Sequence, residues 1–290
     1  MLYSIHHRTR YVYEDHVSYS HHLARLTPSD SPLQRRISSR ILVNPAPDIL
    51  SEHSDYFNNF THFFSLTTPH QELVVDSYCK VLVEPPRELS LNLSPAWESV
   101  RDRMLQPSDH GSLEAAEFVS PSPLCTVHPT IADYTLKSFR PGTPILEGVT
   151  DLTHRIHADF EFNPSATTVS TPVMEVFEKR AGVCQDFAHF QISCLRSIGL
   201  PASYVSGYLR TEPPPGQPRL IGADASHAWI AVFVPELGWA EFDATNDAIP
   251  ETDHIRVARG RDYHDICPIR GTVYGGGAQK LEIGVTVTPE

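Results

Sequence analysis

The sequence predicts an α+β protein, in which a β-rich N-terminal unit precedes a unit that combines a helix with an antiparallel hairpin. In the first unit, strand-forming residues alternate or cluster between proline, aspartate and serine breaks at 2–13, 38–43, 57–67 and 72–83. Further on, apolar residues at three- and four-residue steps predict a helix that begins at about Cys184 and ends at the Gly-Leu-Pro of residues 199–201. Two later apolar runs flank a short turn and predict the hairpin strands 228–234 and 239–243.

Length, composition and charge indicate a globular protein that binds neither nucleic acid nor a membrane. A chain of 290 residues with 40% hydrophobic and 20% charged residues is typical of a globular protein with one large or two ordinary domains. The formal net charge of -12 at pH 7 disfavours nucleic acid as a partner, because its phosphates are also negative. The longest apolar run, 228–234, is far shorter than the roughly 20 residues that a membrane helix needs, so we expect no membrane partner.

Cysteine usage indicates a reducing compartment. The cysteines are odd in number, widely spaced and without a CxxC pair: Cys79, Cys125, Cys184, Cys194 and Cys267. Residues 1–11 are polar and do not resemble a secretory signal. We therefore expect a cytoplasmic location.

The composition changes twice along the chain. We predict a β-rich N-terminal domain at 1–90, a connector with short helices at 91–144 and a core domain at 145–290. The connector contains short helical stretches at 97–105 and 113–118 and a Ser/Pro-rich break, and a further helix is expected at 145–158, where the next domain begins.

The sequence shows no convincing metal pattern. The pairs His6-His7 and His21-His22 lie in predicted strands, where neighbouring side chains point to opposite faces. Cys184, His189 and Cys194 share no helix face, because a five-residue step advances by about 140° around the axis. We expect neither a metal nor another cofactor.

Three residues supply the parts of a thiolate acyl-transfer site. Cys184 falls in the first turn of the predicted helix, where unpaired amides and the helix dipole favour the reactive thiolate. His227 begins one hairpin strand and Asp243 ends the other, so the hairpin brings them to the same end of the sheet. Taken alone, His227 could be a solvent-facing strand end and Asp243 a turn former. Together we interpret the three as nucleophile, base and orienting carboxylate.

The hairpin register decides whether His227 and Asp243 meet. A turn centred on residue 235 would place them opposite each other on one face, with Glu241 on the same face. Nearby, the Pro/Gly-rich segment 211–221 has the composition of a mobile loop beside a site.

Several strings around these residues match one known pattern. They cover 182–190, 197–202, 205–209, 224–229 and 238–246, and are followed by Gly260-Arg261-Asp262-Tyr263. With them the chain resembles the transglutaminase-like superfamily, in particular bacterial members that join a transglutaminase-like N-terminal β-domain to a transglutaminase core. The resemblance covers essentially the whole chain. It implies a papain-like core, in which the helix bearing Cys184 packs on an antiparallel sheet that carries His227 and Asp243.

The resemblance also suggests further site residues. Family members usually carry Tyr where this chain has Phe162, so a hydroxyl donor to an oxyanion is missing, and Asn163 could supply an amide instead. Asn246 is an alternative to Asp243 as the group that orients the imidazole. Three aromatic residues could line a substrate cleft or belong to the core: Tyr208, Trp229 and Tyr263.

The implied activity is attack of Cys184 on the amide carbonyl of a peptide, protein or small amide, which gives a thioester acyl-enzyme. Water would complete a hydrolysis, and an amine such as lysine would complete a transamidation. We favour hydrolysis, because calcium activation marks the animal cross-linking members and no calcium loop of known spacing is present. The third alternative is a non-catalytic binding module, although such members would be expected to have lost one of the three residues.

Overall fold

The computed structural model describes residues 1–86, 90–211 and 225–290 of the chain. A seven-stranded and a four-stranded antiparallel sheet pack with helices, so the predicted α+β class is confirmed. Across these three ranges, no helix is both long enough and apolar enough to cross a membrane.

The larger sheet is built mainly from the start of the chain. Its first five strands are β1 (Leu2–Ala24), β2 (Gln34–Asn44), β3 (Ile49–Ser54), β4 (Phe60–Leu66) and β5 (His70–Val83). They lie in the order β2-β5-β1-β4-β3. Every second residue of β1 from Tyr3 to Thr9 is buried, which is the pattern of a strand with one face against a core. The sequence does not predict β3, because residues 49–54 are exposed on both faces and show no apolar alternation.

The remaining elements are the helices, the other strands of the two sheets and one short pair of parallel strands. They are α1 (Trp97–Leu105), α2 (His110–Ala116), α3 (Pro129–Thr135), α4 (Ile145–Asp159), β6 (Glu161–Phe162), α5 (Val173–Lys179), β7 (Ala181–Gly182), α6 (Cys184–Ser197), β8 (Ala202–Leu209), β9 (Ala225–Val234), β10 (Gly238–Phe242), β11 (His254–Gly260), α7 (Tyr263–Ile266), β12 (Ile269–Gly275) and β13 (Gln279–Pro289). Single 3-10 turns cover Leu91–Leu93 and Glu117–Val119. The predicted helices at 97–105, 145–158 and from Cys184 agree with α1, α4 and α6, and the one predicted at 113–118 overlaps α2 and the turn Glu117–Val119. Helices α3 and α5 are not predicted, since an apolar period is hard to recognise over seven residues.

Strands β12 and β13 return from the far end of the chain to pair with β1. The pairing with β13 runs from Tyr3 opposite Pro289 to Tyr13 opposite Gln279. The predicted core range, 145–290, therefore includes two strands of the N-terminal sheet. Local sequence does not show this, because the partner of a strand depends on tertiary contacts.

The smaller sheet has the order β10-β9-β8-β11, and α6 packs against it. Phe187 and Phe190 of α6 share a core with Ile230 and Val232 of β9. Tyr3 of the larger sheet belongs to the same core. The two sheets are therefore joined by apolar packing on the side where α6 lies.

The register of the hairpin formed by β9 and β10 differs from the one expected from the sequence. Gly238 pairs with Val234, so the turn is centred on residue 236 rather than 235. Asp243, one residue beyond β10, is therefore displaced by two residues from the position opposite His227. A displacement of two residues preserves the face of the sheet, so the two side chains can still meet.

Candidate active site

Cys184 is the first residue of α6, as predicted. The N–H of this position has no acceptor within the helix, and the helix dipole places partial positive charge there. Asp186 fixes this turn, because its carboxylate accepts hydrogen bonds from the Val183 N–H at 2.8 Å and the Thr167 hydroxyl at 2.6 Å. All five cysteines are free; Cys184 and Cys267 are half-buried, and the others are buried.

His227 and Asp243 are joined by a hydrogen bond of 2.8 Å between Nε2 and Oδ2, and both side chains are buried. Because the carboxylate takes Nε2, Nδ1 is the ring nitrogen left for Cys184. The Cys184 thiol is close enough to act on the pKa of His227 as a hydrogen-bonding and charged neighbour. The structure therefore brings the three predicted residues together in the order sulfur, imidazole, carboxylate.

The Asp243 carboxylate accepts five hydrogen bonds. Oδ2 accepts from His227, from His254 Nε2 at 3.0 Å and from Asn246 Nδ2 at 2.7 Å. Oδ1 accepts from the backbone N–H groups of Thr245 and Asn246 at 2.9 and 3.3 Å. Asn246 is thus a partner of Asp243, while Asp243 itself holds the imidazole.

These contacts raise the pKa of His227 and lower the pKa of Asp243. Burial acts to lower the pKa of His227, but its interactions with Asp243 and Cys184 outweigh burial and raise the pKa to about 10. Burial acts to raise the pKa of Asp243, yet the hydrogen bonds from His227 and His254 hold it well below its usual range. At neutral pH these shifts favour a buried imidazolium–carboxylate pair, with the positive ring next to the Cys184 sulfur.

His227, Asp243 and His254 also bring three potential metal-ligand atoms within 4.8 Å of one another. Oδ2 of Asp243 already accepts three hydrogen bonds, so a cation could enter only by displacing these donors. The hydrogen bonds to Asp243 therefore explain why His227, Asp243 and His254 lie together.

Comparison with known proteins shows which family the chain belongs to. Residues 3–82 match the family model described as "Bacterial transglutaminase-like N-terminal region". Residues 133–244, which include Cys184, His227 and Asp243, match that of the transglutaminase-like superfamily. The chain belongs to the transglutaminase-like superfamily.

Individual members and structures show how far the likeness extends. An uncharacterised protein of Mycobacterium tuberculosis is 40% identical over 295 residues, which span 99% of this chain and 92% of that relative. A protein-glutamine gamma-glutamyltransferase of Pseudomonas aeruginosa is 30% identical over 129 residues, or 38% of this chain and 19% of that protein. A crystal structure from Cytophaga hutchinsonii, described as a candidate cysteine protease, has a TM-score of 0.77 at 20% identity and covers 99% of this chain and 90% of that chain. This structural likeness shows a shared fold.

In this transglutaminase-like chain, Asn163 lies beside the start of α6. The pairing of β6 with β7 places Phe162 opposite Gly182, and the Asn163 N–H donates to the Gly182 carbonyl at 2.8 Å. Oδ1 of Asn163 accepts hydrogen bonds from the hydroxyl and the backbone N–H of Ser165 at 2.7 and 3.0 Å. Its Nδ2 is therefore the group available to the predicted oxyanion role.

The three aromatic residues suggested for a substrate cleft are packed in different ways. Tyr208 and Trp229 are buried with their polar atoms hydrogen-bonded, so neither can contact a substrate in this conformation. Trp229 instead stacks on the ring of His227, with centroids 5.9 Å apart. Tyr263 is half-buried, and its hydroxyl lies 3.5 Å from the sulfur of Cys267.

In the motif 260–263, Asp262 has a structural role. Asp262 is fully buried and caps α7 by accepting a hydrogen bond from the His264 N–H at 2.9 Å. Its other oxygen accepts from the Leu124 N–H at 2.8 Å. Asp262 therefore ties the connector to the end of β11.

His254 also belongs to the site, although the sequence does not identify it. It begins β11, and its contact with Asp243 depends on how the strands are arranged in the smaller sheet. The sequence signal is a single histidine before an apolar strand, which is a common pattern without chemical meaning. The predicted mobile loop, 211–221, lies outside the described residues except for Thr211.

Proposed function

We propose that the protein is a cysteine-dependent enzyme that transfers the acyl group of an amide through a thioester on Cys184, with hydrolysis of a peptide, isopeptide or amide as its reaction. The observation that carries this proposal is the row Cys184, His227, Asp243, in which the imidazole held by the Asp243 carboxylate faces the sulfur. The raised pKa of His227 favours the imidazolium, and a positive ring beside a cysteine generally favours the thiolate, which is the nucleophilic form.

In the proposed reaction, the Cys184 thiolate attacks the carbonyl carbon and the carbonyl oxygen becomes an oxyanion. The Cys184 N–H and the Asn163 side-chain amide are the two groups proposed to stabilise it. His227 then gives its proton to the leaving amine, the C–N bond breaks and the acyl group remains on sulfur. Asp243 keeps the ring oriented and stabilises its charged form.

The nucleophile that removes the acyl group decides between two reactions. Water, deprotonated by His227, would attack the thioester carbonyl, so that the C–S bond breaks and an acid and the free Cys184 sulfur are released. A primary amine would displace the sulfur in the same way and form a new amide. The similarity to the Pseudomonas glutamyltransferase supports transamidation as the second candidate, although it covers only 38% of this chain. A protein or peptide substrate suits both reactions.

The test uses a glutamine-bearing peptide together with a fluorescent primary amine. Ammonia release or cleavage without amine incorporation would support hydrolysis, and incorporation would support transamidation. A Cys184→Ala variant should do neither. Equal turnover by this variant and the wild type would reject the proposed nucleophile.

Thiol reactivity distinguishes an enzyme from a non-catalytic binding module. Iodoacetamide should modify Cys184 well before Cys194, because burial raises the pKa of Cys194 to about 12. Cys267 is half-buried like Cys184 and serves as the internal control for access. Similar slow labelling of Cys184 and Cys267 would favour the binding module.

A further inference from the structure

We propose that His254 is a positioning residue of the same site, which holds the Asp243 carboxylate in the orientation that His227 requires. The inference rests on the proposed function, in which Asp243 orients the imidazole. His254 Nε2 lies 3.0 Å from Oδ2 of Asp243, the same oxygen that His227 binds at 2.8 Å. Two imidazoles therefore share one carboxylate oxygen.

The direction of these hydrogen bonds defines what His254 supplies. An ionised carboxylate can only accept, so Nε2 of each imidazole must carry a proton. In His254 this leaves Nδ1, which is buried and has no hydrogen-bond partner among the residues that the structure describes. A proton on Nδ1 would be a buried donor without an acceptor, so the Nε2–H tautomer is the form that suits this position. His254 thus donates to Asp243 through Nε2.

The surroundings hold His254 in place. Its side chain is only 8% exposed, and the ring of Trp229 packs edge-on at a centroid distance of 5.2 Å. The neighbouring carboxylate of Asp253 is hydrogen-bonded to Arg210 at 2.7 Å and to the Tyr3 hydroxyl at 2.9 Å. Asp253 is therefore engaged elsewhere, and Asp243 is the carboxylate that receives the His254 N–H.

The test compares His254→Phe with His254→Gln. Phenylalanine keeps the bulk of the ring but removes the donor, whereas glutamine can place an amide N–H near the position of Nε2. We expect His254→Phe to slow alkylation of Cys184 by iodoacetamide by about tenfold or more, the effect of losing one hydrogen bond to a charged group. His254→Gln should recover most of the rate. His22→Phe removes a similarly buried histidine from the larger sheet and should leave the rate unchanged.

The pH dependence of alkylation separates positioning from a general loss of stability. If His254 positions Asp243, His254→Phe shifts the pH midpoint of Cys184 alkylation, because His227 loses support for its charged form. A lower folded fraction by circular dichroism with an unchanged midpoint would overturn the inference, and so would wild-type behaviour of His254→Phe. A wild-type rate that changes when EDTA is added, with no such change in His254→Phe, would identify a metal ligand and also overturn it.

Turnover of the amide tests the proposed function separately. Alkylation reports the surroundings of Cys184 whether or not any amide is processed. A wild-type protein without turnover, combined with a shifted midpoint in His254→Phe, would reject the enzyme and still support positioning by His254. Turnover that is lost in His254→Phe and restored in His254→Gln would support both.

Discussion

Nδ1 of His7 lies 2.9 Å from the hydroxyl of Tyr208, and both side chains are buried. This hydrogen bond joins β1 of the larger sheet to β8 of the smaller one, the strand that pairs with the His227 strand. Asn59 forms a second connection through its hydrogen bonds with the backbone of Arg259, at 2.8 Å in both directions. The N-terminal sheet is therefore tied to the sheet that carries the candidate site.

Removal of the His7–Tyr208 hydrogen bond should destabilise the protein. His7→Phe leaves the Tyr208 hydroxyl buried without this partner, so we expect a loss of about 1–3 kcal/mol in the free energy of unfolding. Urea denaturation of both single variants and of His7→Phe/Tyr208→Phe measures it. The double variant should lose less than the sum of the single losses, and strict additivity would show that the bond contributes nothing.

Acid should destabilise the fold through buried histidines. Burial lowers the pKa of His7, His22 and His189 to about 4, while the unfolded value is about 6.5. Below pH 6.5 the unfolded chain therefore binds protons that the folded chain does not. The stabilising contribution is complete above pH 6.5 and is lost as the pH falls toward 4. Urea denaturation between pH 7 and pH 4.5 should show this slope, and His22→Phe should reduce it; an unchanged slope would contradict the assignment.

His227 should have the opposite effect on the alkaline side. Its pKa of about 10 in the folded protein exceeds the unfolded value of about 6.5, so the folded chain keeps a proton that the unfolded chain releases. Its contribution is complete below pH 6.5 and declines as the pH rises toward 10. In a Cys184→Ala background, where no thiolate offsets the proton on His227, the free energy of unfolding should therefore fall between pH 7 and 8.5, and it should fall less when His227→Gln is added. Parallel curves would exclude a raised pKa for His227.

Gly182→Ala should disturb the start of α6. A Cβ at this position would lie 2.6 Å from Oδ2 and 2.8 Å from Cβ of Asp186, the residue that accepts the Val183 N–H. We expect a cost of about 1–3 kcal/mol in stability, together with slower alkylation of Cys184. Gly111→Ala is the control, because its nearest contact is 3.4 Å and its helical position tolerates alanine. Equal effects of the two substitutions would contradict this explanation.

Asp243 should matter more for turnover than Asn246. Asp243→Ala leaves the N–H groups of both His227 and His254 without their acceptor, and we expect turnover to fall by about 10²–10⁴-fold, the range attributed to general acid–base catalysis. Asn246→Ala removes one donor and should cost about tenfold. Asp247→Ala, which removes a carboxylate paired with exposed His154, should change turnover little. A larger loss in Asn246→Ala than in Asp243→Ala would assign the orienting role to Asn246.

Local sequence predicts much of the site, because its parts lie at the ends of regular elements. The apolar period of α6 places Cys184 in the first turn, and Gly199, with a φ of +80°, ends the helix region as predicted. The apolar runs of β9 and β10 bring His227 and Asp243 to one end of a hairpin. The expected pairing of β9 with β10 is shifted by two residues. Such a shift leaves His227 and Asp243 on the same face of the sheet, so they still meet.

Features that depend on sheet order could not be predicted. His254 meets Asp243 only because β11 joins the smaller sheet, and no local pattern shows this. Tyr208 and Trp229 are aromatic residues of the kind that lines clefts, but the fold buries both. Tyr208 contacts His7 of the larger sheet, and Trp229 packs among residues of the smaller sheet. The cytoplasmic location and the choice of hydrolysis stay predictions, since neither is determined by the fold.

Strand β13 can reach its partner β1 only after nearly all of the residues between them have been synthesised. While the chain is still being made, the edge of β1 that later binds β13 is exposed to other strands. Such long-range closure slows folding and favours aggregation of the incomplete chain. We therefore expect truncation before residue 279 to lower both yield and solubility.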